Sequence, residues 1–356
     1  MSLRNPRSAL CAGAAAALLC VSLLATVAGI SRAQVVATVP PAGAVDTVAP
    51  AGARETDYAI TSGKLILPGT LTLPAKASGR IPVVLIVAGS GPTDRNGNSV
   101  APGYAGPLPR PNSYAQLAWA LAGQGIASVR YDKRSLGANA AKIDLPATSI
   151  DDFIGDVAAG AKQLAADARF SRVVLFGHSE GAQLVLQAAN RGAPAAGVIM
   201  ASGMGRRFLP VLHQQLQRQL DSATLLQFDS AIAGFLRNEN PTVQLPAVLM
   251  SLLQPENRRF MQGLQAYVPT DEIAAAKVPI MIVQGAKDIQ VTEEDSKLLA
   301  TARPTATLLV LPTANHVLKA ANGRDVSSQI SLYMDPRSPI VPDLAPAIAV
   351  WIRGLK

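Results

Sequence analysis

The sequence predicts an α/β fold: a mostly parallel sheet with helices on both faces and a helical insertion over one end. Three observations carry this. Short apolar runs rich in β-branched residues recur along the chain, amphipathic helical patterns separate them, and one long interval, about 204–276, keeps a helical period with no β-run inside it. Apolar strands alternating with helices are what a parallel sheet buried on both sides requires.

The chain opens with Arg4 and Arg7, an apolar stretch at 9–30 and the small residues of Ser31-Arg32-Ala33. That pattern reads as a signal peptide over 1–33, cleaved on export, so the expected location is periplasmic or secreted and bacterial. The alternative is an uncleaved anchor, since the stretch approaches the roughly 20 residues that cross a bilayer. No second apolar run of that length follows, so no stable membrane span is expected after cleavage. Residues 34–56 repeat a Pro-Ala-Gly-Ala block and read as a flexible leader, which puts the folded domain at 57–356.

Within that domain, 64–67 and 70–73 predict an edge hairpin turning at Pro68-Gly69. Strands are then expected at 82–88, 126–131, 172–176, 197–201, 279–284 and 307–311, and helices at 113–123, 150–166, 180–190 and 293–301. The interval 204–276 is too long for a loop and reads as a helical insertion.

Composition narrows the function. Hydrophobic residues make up 49% of the chain and aromatics 4%, so the core is aliphatic and stacking surfaces for bases are scarce. Loss of the signal removes three arginines and no acid, taking the net charge from +8 to +5 without leaving a Lys/Arg cluster. No nucleic-acid partner is expected. Cys11 and Cys20 both lie in the signal, so the mature chain has no thiol, and its three histidines are scattered. Neither a metal nor an organic cofactor is expected.

The chemistry centres on Gly177-His178-Ser179-Glu180-Gly181, between a predicted strand and a predicted helix. A Gly-x-Ser-x-Gly sharp turn of this kind exposes the serine hydroxyl at the carboxyl end of the sheet, and side chains at 177 or 181 would collide there. Ser179 is therefore a candidate nucleophile, and it needs a base. His178 reads as a packed or surface residue of the turn and His213 falls in the insertion, which leaves His316, on the loop after the last strand. Asp288, after the penultimate strand, is the candidate acid that orients it; Glu293, Glu294 and Asp295 are rivals that read better as first-turn helix residues. The backbone N–H groups of Ser90 and Glu180 are the expected donors to a substrate oxyanion. Asp94, Arg95, Arg130, Asp132, Lys133 and Arg134 read as salt-bridged loop residues.

The motifs "GSGPTDRNGN", "RYDKRSLG", "GHSEG", "VPIMIVQGAKDIQV" and "ANHVLK", in that order, resemble the α/β-hydrolase superfamily, in its bacterial serine esterase (S9-peptidase-like) branch. The resemblance covers about 58–356. It implies a carboxylesterase with Ser179 as nucleophile, His316 as base and then acid, Asp288 as its partner, and the insertion as a cap. Ser135 stands where glycine is common, and Ala286 where an acid is frequent. The expected substrate is a small ester with an apolar group. A peptidase or thioesterase of the same fold is the alternative, and a non-catalytic envelope protein would need a broken triad.

Overall fold

A computed structural model describes residues 48–100 and 107–356; the expected signal, 1–33, and leader residues 34–47 lie outside the described residues. The chain enters the sheet through β1 (Ala53–Ser62) and β2 (Leu65–Pro74), and continues through β3 (Ile81–Val87), β4 (Ala127–Tyr131), β5 (Phe170–His178), β6 (Gly197–Ala201), β7 (Ile280–Gly285) and β8 (Thr307–Leu311). All belong to one sheet in the order β1-β2-β4-β3-β5-β6-β7-β8. β1 and β2 run antiparallel to their neighbours; every pairing from β4 across to β8 is parallel.

The edge hairpin differs from the expectation in both turn and start. The chain reverses at Gly63, whose φ of 56° is open to glycine at no steric cost, and Pro68-Gly69 lies inside β2. Pro68 sits just outside the stretch of β2 that pairs with β4, Gly69 to Thr72, so its missing N–H breaks no bond to that strand. Gly69 is there for closeness: a Cβ would stand 2.5 Å from the Tyr58 carbonyl oxygen. The pairing partners of this longer β2 carry β1 back to Ala53, so residues 53–56 are strand and not leader.

Helices α1 (Ser113–Gly123), α2 (Ile150–Ala166) and α3 (Glu180–Asn190) cross between strands. The sheet sorts side chains by alternation. Val83, Leu85 and Val87 face a cluster with Val157 and Ala161 of α2 and Leu184 and Val185 of α3. Val84 and Ile86 face the opposite cluster with Leu117 and Leu121 of α1. Both faces are covered at the centre of the sheet, which is why β3, β6 and β7 are almost wholly apolar.

Between β6 and β7 the chain forms α4 (Phe208–Leu216), α5 (Ser222–Leu236), α6 (Ala247–Leu252), α7 (Pro255–Ala266) and α8 (Pro269–Ala275). These helices hold an apolar cluster of their own that includes Leu216, Phe228, Phe235 and Leu249. Asp295 anchors the segment where it leaves the sheet, accepting from the Gly205 amide at 3.0 Å and the Arg206 guanidinium at 2.7 Å. After β7 come α9 (Glu293–Ala302), α10 (Val326–Met334) and α11 (Leu344–Gly354). The last two were not among the expected elements, although Leu344, Ile348 and Ile352 recur at helical spacing and bury completely beside α1.

Among the described residues no helix is long and apolar enough to cross a membrane. Leu117→Ala, deep between α1 and the sheet, is expected to lower unfolding free energy by about 2–5 kcal/mol in urea titration, through lost burial and the cavity left behind.

Candidate active site

β5 ends on His178 and α3 begins on Glu180, so a single residue, Ser179, makes the whole turn. Its backbone sits at φ 55° and ψ −120°, a region a non-glycine residue occupies only when its surroundings enforce it. Here they do. The Ser179 N–H donates to the Ala201 carbonyl of β6 at 2.8 Å, and the Ala182 N–H returns to the Ser179 carbonyl at 3.0 Å. A Cβ on Gly177 would run into the backbone of Gly181, and one on Gly181 would stand 2.5 Å from the Val87 carbonyl oxygen. Both elbow glycines are thus fixed by sterics, since α3 starts with its backbone pressed onto β3 and β5.

Glu180 is the first residue of α3, so its N–H has no partner within the helix. On the loop after β3, the Gly89 N–H is taken by the Tyr114 hydroxyl at 3.1 Å, and the next residue, Ser90, lines the recess beside Ser179. Gly89 is also closely approached: a Cβ there would come within 3.1 Å of the Ser179 Cβ and press on the nucleophile's side chain.

The loop after β7 brings Asp288 to the same rim. Its carboxylate is fully buried and accepts the Gln290 and Val291 amides at 2.8 and 3.0 Å on one oxygen and His316 Nδ1 at 2.8 Å on the other. Burial alone would raise its pKa; the charge and hydrogen bond of His316, with the two amides, outweigh burial and hold the carboxyl below its usual range. An ionised carboxylate only accepts, so His316 Nδ1 carries a proton and donates it to Asp288, which turns Nε2 away from the carboxylate. The His316 loop is closed by the Asn315 N–H bond to the Lys319 carbonyl at 2.9 Å and by the buried Lys319 ammonium, which donates to the Asp335 carbonyl at 2.5 Å. Ser179 and His316 line one recess, and among the described residues no hydrogen bond joins their side chains. Enzymes without substrate commonly hold this pair apart and tighten it on binding.

His178 does more than pack. Its Nε2 lies 2.7 Å from the His316 carbonyl oxygen, an acceptor, so Nε2 carries the proton. Its Nδ1 then accepts from the Tyr114 hydroxyl at 2.8 Å, while that oxygen accepts from Gly89 N–H. One chain of hydrogen bonds therefore ties the glycine loop, α1, the elbow and the base loop together. Burial, with His316 beside it, pushes the His178 pKa down to about 3, so the ring stays neutral. The pairs span 64 and 138 positions of sequence, which is why no local pattern announces them.

Of the remaining candidates, His213 pairs with Asp229 at 2.7 Å in the helical segment, and Asp295 belongs to Arg206; neither touches His316. The loop charges form ion pairs Arg95–Asp132, Arg130–Glu55 and Arg134–Asp156. Asp94 differs from its expected salt bridge: it accepts the Asn96 and Asn98 amides, both at 2.8 Å, and stiffens the glycine loop. Lys133 is buried against Glu180 at 3.1 Å and donates to the Gly89 carbonyl, joining the two loops that carry the expected oxyanion amides.

Two recesses meet at Ser179. The first, about 840 Å3 with its open mouth included, runs beneath the inserted helices and is lined by Met204, Val211, Leu212, Leu216, Met261 and Leu264 among others. The second, about 570 Å3 on the same measure, lies on the side of His316 and includes Thr93, Ser99, Pro109, Val317 and Tyr333. No group of side chains able to hold a metal ion occurs among the described residues.

Residues 110–320 match the family described as serine aminopeptidase, S33. A curated relative, Esterase EstD of Thermotoga maritima, is 28% identical over 264 residues, which is 72% of this chain and 59% of that protein. The chain thus spans less than two thirds of that relative's length. Among solved structures, a proline iminopeptidase from Mycobacterium smegmatis superposes with a TM-score of 0.51 at 14% identity, over 84% of this chain and 98% of that one. A 2,6-dihydroxy-pseudo-oxynicotine hydrolase gives 0.50 at 13% identity, over 84% and 67%. At such identities the likeness speaks for the fold.

The neutral state of His178 has a consequence for stability. Its pKa falls from 6.5 to about 3 on folding, so below pH 6.5 the unfolded chain takes up a proton the native ring refuses. Stability present above pH 6.5 is then lost as pH falls toward about 3, by up to about 1.4 kcal/mol per pH unit. His178→Gln, which keeps a donor for the His316 carbonyl, is expected to show a shallower loss than wild type in urea titrations between pH 6.5 and 4.5. Equal slopes would contradict a neutral buried ring.

Proposed function

The chain belongs to the serine aminopeptidase S33 family of the α/β-hydrolase superfamily, and from that premise and the geometry of the rim we propose that it is a serine carboxylesterase working through an acyl-enzyme. The observation that carries the reading is the shared recess of Ser179 and His316, with Asp288 holding Nδ1 of the imidazole. His316 Nε2 takes the Ser179 proton as Oγ attacks the ester carbonyl carbon. The Ser90 and Glu180 amides receive the carbonyl oxygen as it becomes an oxyanion, aided by the positive end of α3. The tetrahedral intermediate collapses, the carbon–alkoxy bond breaks, and the alcohol leaves with the proton from His316. Water then repeats the sequence on the acyl-enzyme and releases the acid. Asp288 stays ionised throughout and steadies the imidazolium.

The bond cleaved is argued from charge. An aminopeptidase has to meet a cationic α-amine; among the described residues the carboxylate lining the first recess, Glu180, already neutralises Lys133, and none lines the second. The stretch 101–106, outside the described residues, contains no acid either. The apolar lining beneath the inserted helices suits an ester whose acyl or alkyl group is hydrophobic. Export directed by residues 1–33, to the periplasm or outside the cell, is part of the same proposal.

Wild type is expected to react with a fluorophosphonate probe and to hydrolyse aryl esters faster than thioesters or aminoacyl amides, while Ser179→Ala does neither. Equal labelling of wild type and variant would remove Ser179 from the mechanism, and a preference for aminoacyl amides would favour the peptidase. Asp288→Asn, which lets His316 take the wrong tautomer, is expected to lower kcat by roughly 10³–10⁴ with the fold intact by circular dichroism.

A further inference from the structure

The two recesses at Ser179 differ in which catalytic partner they contain. Ser90, Ser179 and Gln290 line both; among the described residues Glu180 lines the first only and His316 the second only. That asymmetry orients the substrate. The proton His316 takes from Ser179 must pass to the departing alkoxide, so the leaving oxygen stands on the imidazole side of the tetrahedral carbon. With the carbonyl oxygen turned to the Ser90 and Glu180 amides, the acyl substituent has the remaining direction.

We propose that the recess beneath the inserted helices is the acyl site, taking an uncharged aliphatic chain, and that the recess beside His316 receives a compact, uncharged alcohol. This rests on the esterase reading above.

The chemistry of each wall supports its occupant. In the first recess the aliphatic side chains come from two bodies: Leu212 and Leu216 from α4 above, Met204 and Val291 from the sheet side below. A flexible chain threaded between them buries apolar surface along its length. Most polar groups there are engaged: Gln215 Nε2 donates to the Gln290 carbonyl and Gln219 Nε2 to the Gln215 carbonyl, each at 3.1 Å, and Glu180 is paired with Lys133. Gln219 Oε1, buried without a partner, can only accept, so it offers an anionic acyl group no donor in exchange for its lost hydration. The second recess encloses less space, about 570 against about 840 Å3, and has Pro109 and Pro111 in its wall. Three of its hydroxyls are engaged: Thr93 donates to the Ser90 carbonyl at 2.9 Å, Ser113 to the Val317 carbonyl at 2.6 Å, and Tyr333 accepts from Gln290 Nε2 at 2.9 Å. Among the described residues no Asp, Glu, Lys or Arg lines it, so an uncharged alcohol fits and an anionic or cationic one finds no counter-charge.

The balance of the reaction makes the assignment testable. The acyl group is present in both half-reactions, whereas the alcohol has left before water attacks. Changes in the acyl site therefore alter acylation and deacylation together, and changes in the alcohol site alter acylation alone.

The test uses the mature enzyme with p-nitrophenyl acetate through octanoate, and with octanoate esters of methanol, butanol and cyclohexanol. Leu212→Trp, which fills the first recess, is expected to lower kcat/KM for octanoate relative to acetate by about tenfold or more, to change the hydrolysis rate of the octanoyl-enzyme, and to leave the order of alcohols as it was. Ser99→Trp, which crowds the second, is expected to penalise cyclohexanol against methanol by about tenfold while the octanoyl-enzyme hydrolyses at the wild-type rate. Met261→Phe stands in for Leu212→Trp if that variant fails to fold. Exchanged effects, or no change in either preference, overturn the assignment while leaving the esterase reading intact. Enzyme that takes up fluorophosphonate at Ser179 yet cleaves aminoacyl amides and none of these esters overturns both.

Discussion

The site depends on one backbone constraint. Ser179 is held in a left-handed conformation that L-residues avoid, between a strand and a helix that leave it no other way to turn. The strain is sustained because α3 packs too closely on β3 and β5 for side chains at Gly177 or Gly181, and the apolar clusters on both faces of the sheet keep that packing rigid. Relaxing the turn would withdraw the hydroxyl from the rim and move the Glu180 amide with it. Nucleophile placement and oxyanion placement are thus a single feature of the backbone.

The other parts arrive at that rim by topology. β5, β7 and β8 are parallel, so the loops that leave their carboxyl ends gather on one side, and Asp288 and His316 meet at 2.8 Å although 28 positions separate them. Two buried polar connections then lock the loops together. Tyr114 and His178 link the glycine loop to the carbonyl of His316, and Lys133 links the same loop to Glu180. Each group in the first connection has its donor and acceptor matched, so the network can be buried without an unpaired polar atom and it specifies one arrangement of the rim.

What was legible in the sequence follows from the range of the physics involved. The strands from 82 to 311 and the helices between 113 and 301 could be read because burial on two faces writes apolar runs into short windows, and the elbow because its sterics act within five residues. The edge hairpin was misplaced for a related reason. Pro68-Gly69 carries the usual chemistry of a turn, but Gly69 is selected by the approach of the Tyr58 and Arg130 carbonyls, a contact between strands that no window contains. The helix at Leu344–Gly354 had its spacing in plain view and was passed over because it follows the last strand of the rhythm. His178 and Lys133 read as packing and loop charge; their partners come from distant elements, and only the assembled sheet reveals what they join.

The central claim, that the strained hydroxyl forms a covalent intermediate with the base loop as its proton acceptor, is tested most directly by rapid-quench peptide mapping during turnover of an aryl octanoate. An octanoyl group on the peptide containing Ser179, formed before the first equivalent of acid appears and absent in His316→Ala, is the expected result. Steady hydrolysis with no acyl group on that peptide, or with the group on another residue, would contradict it.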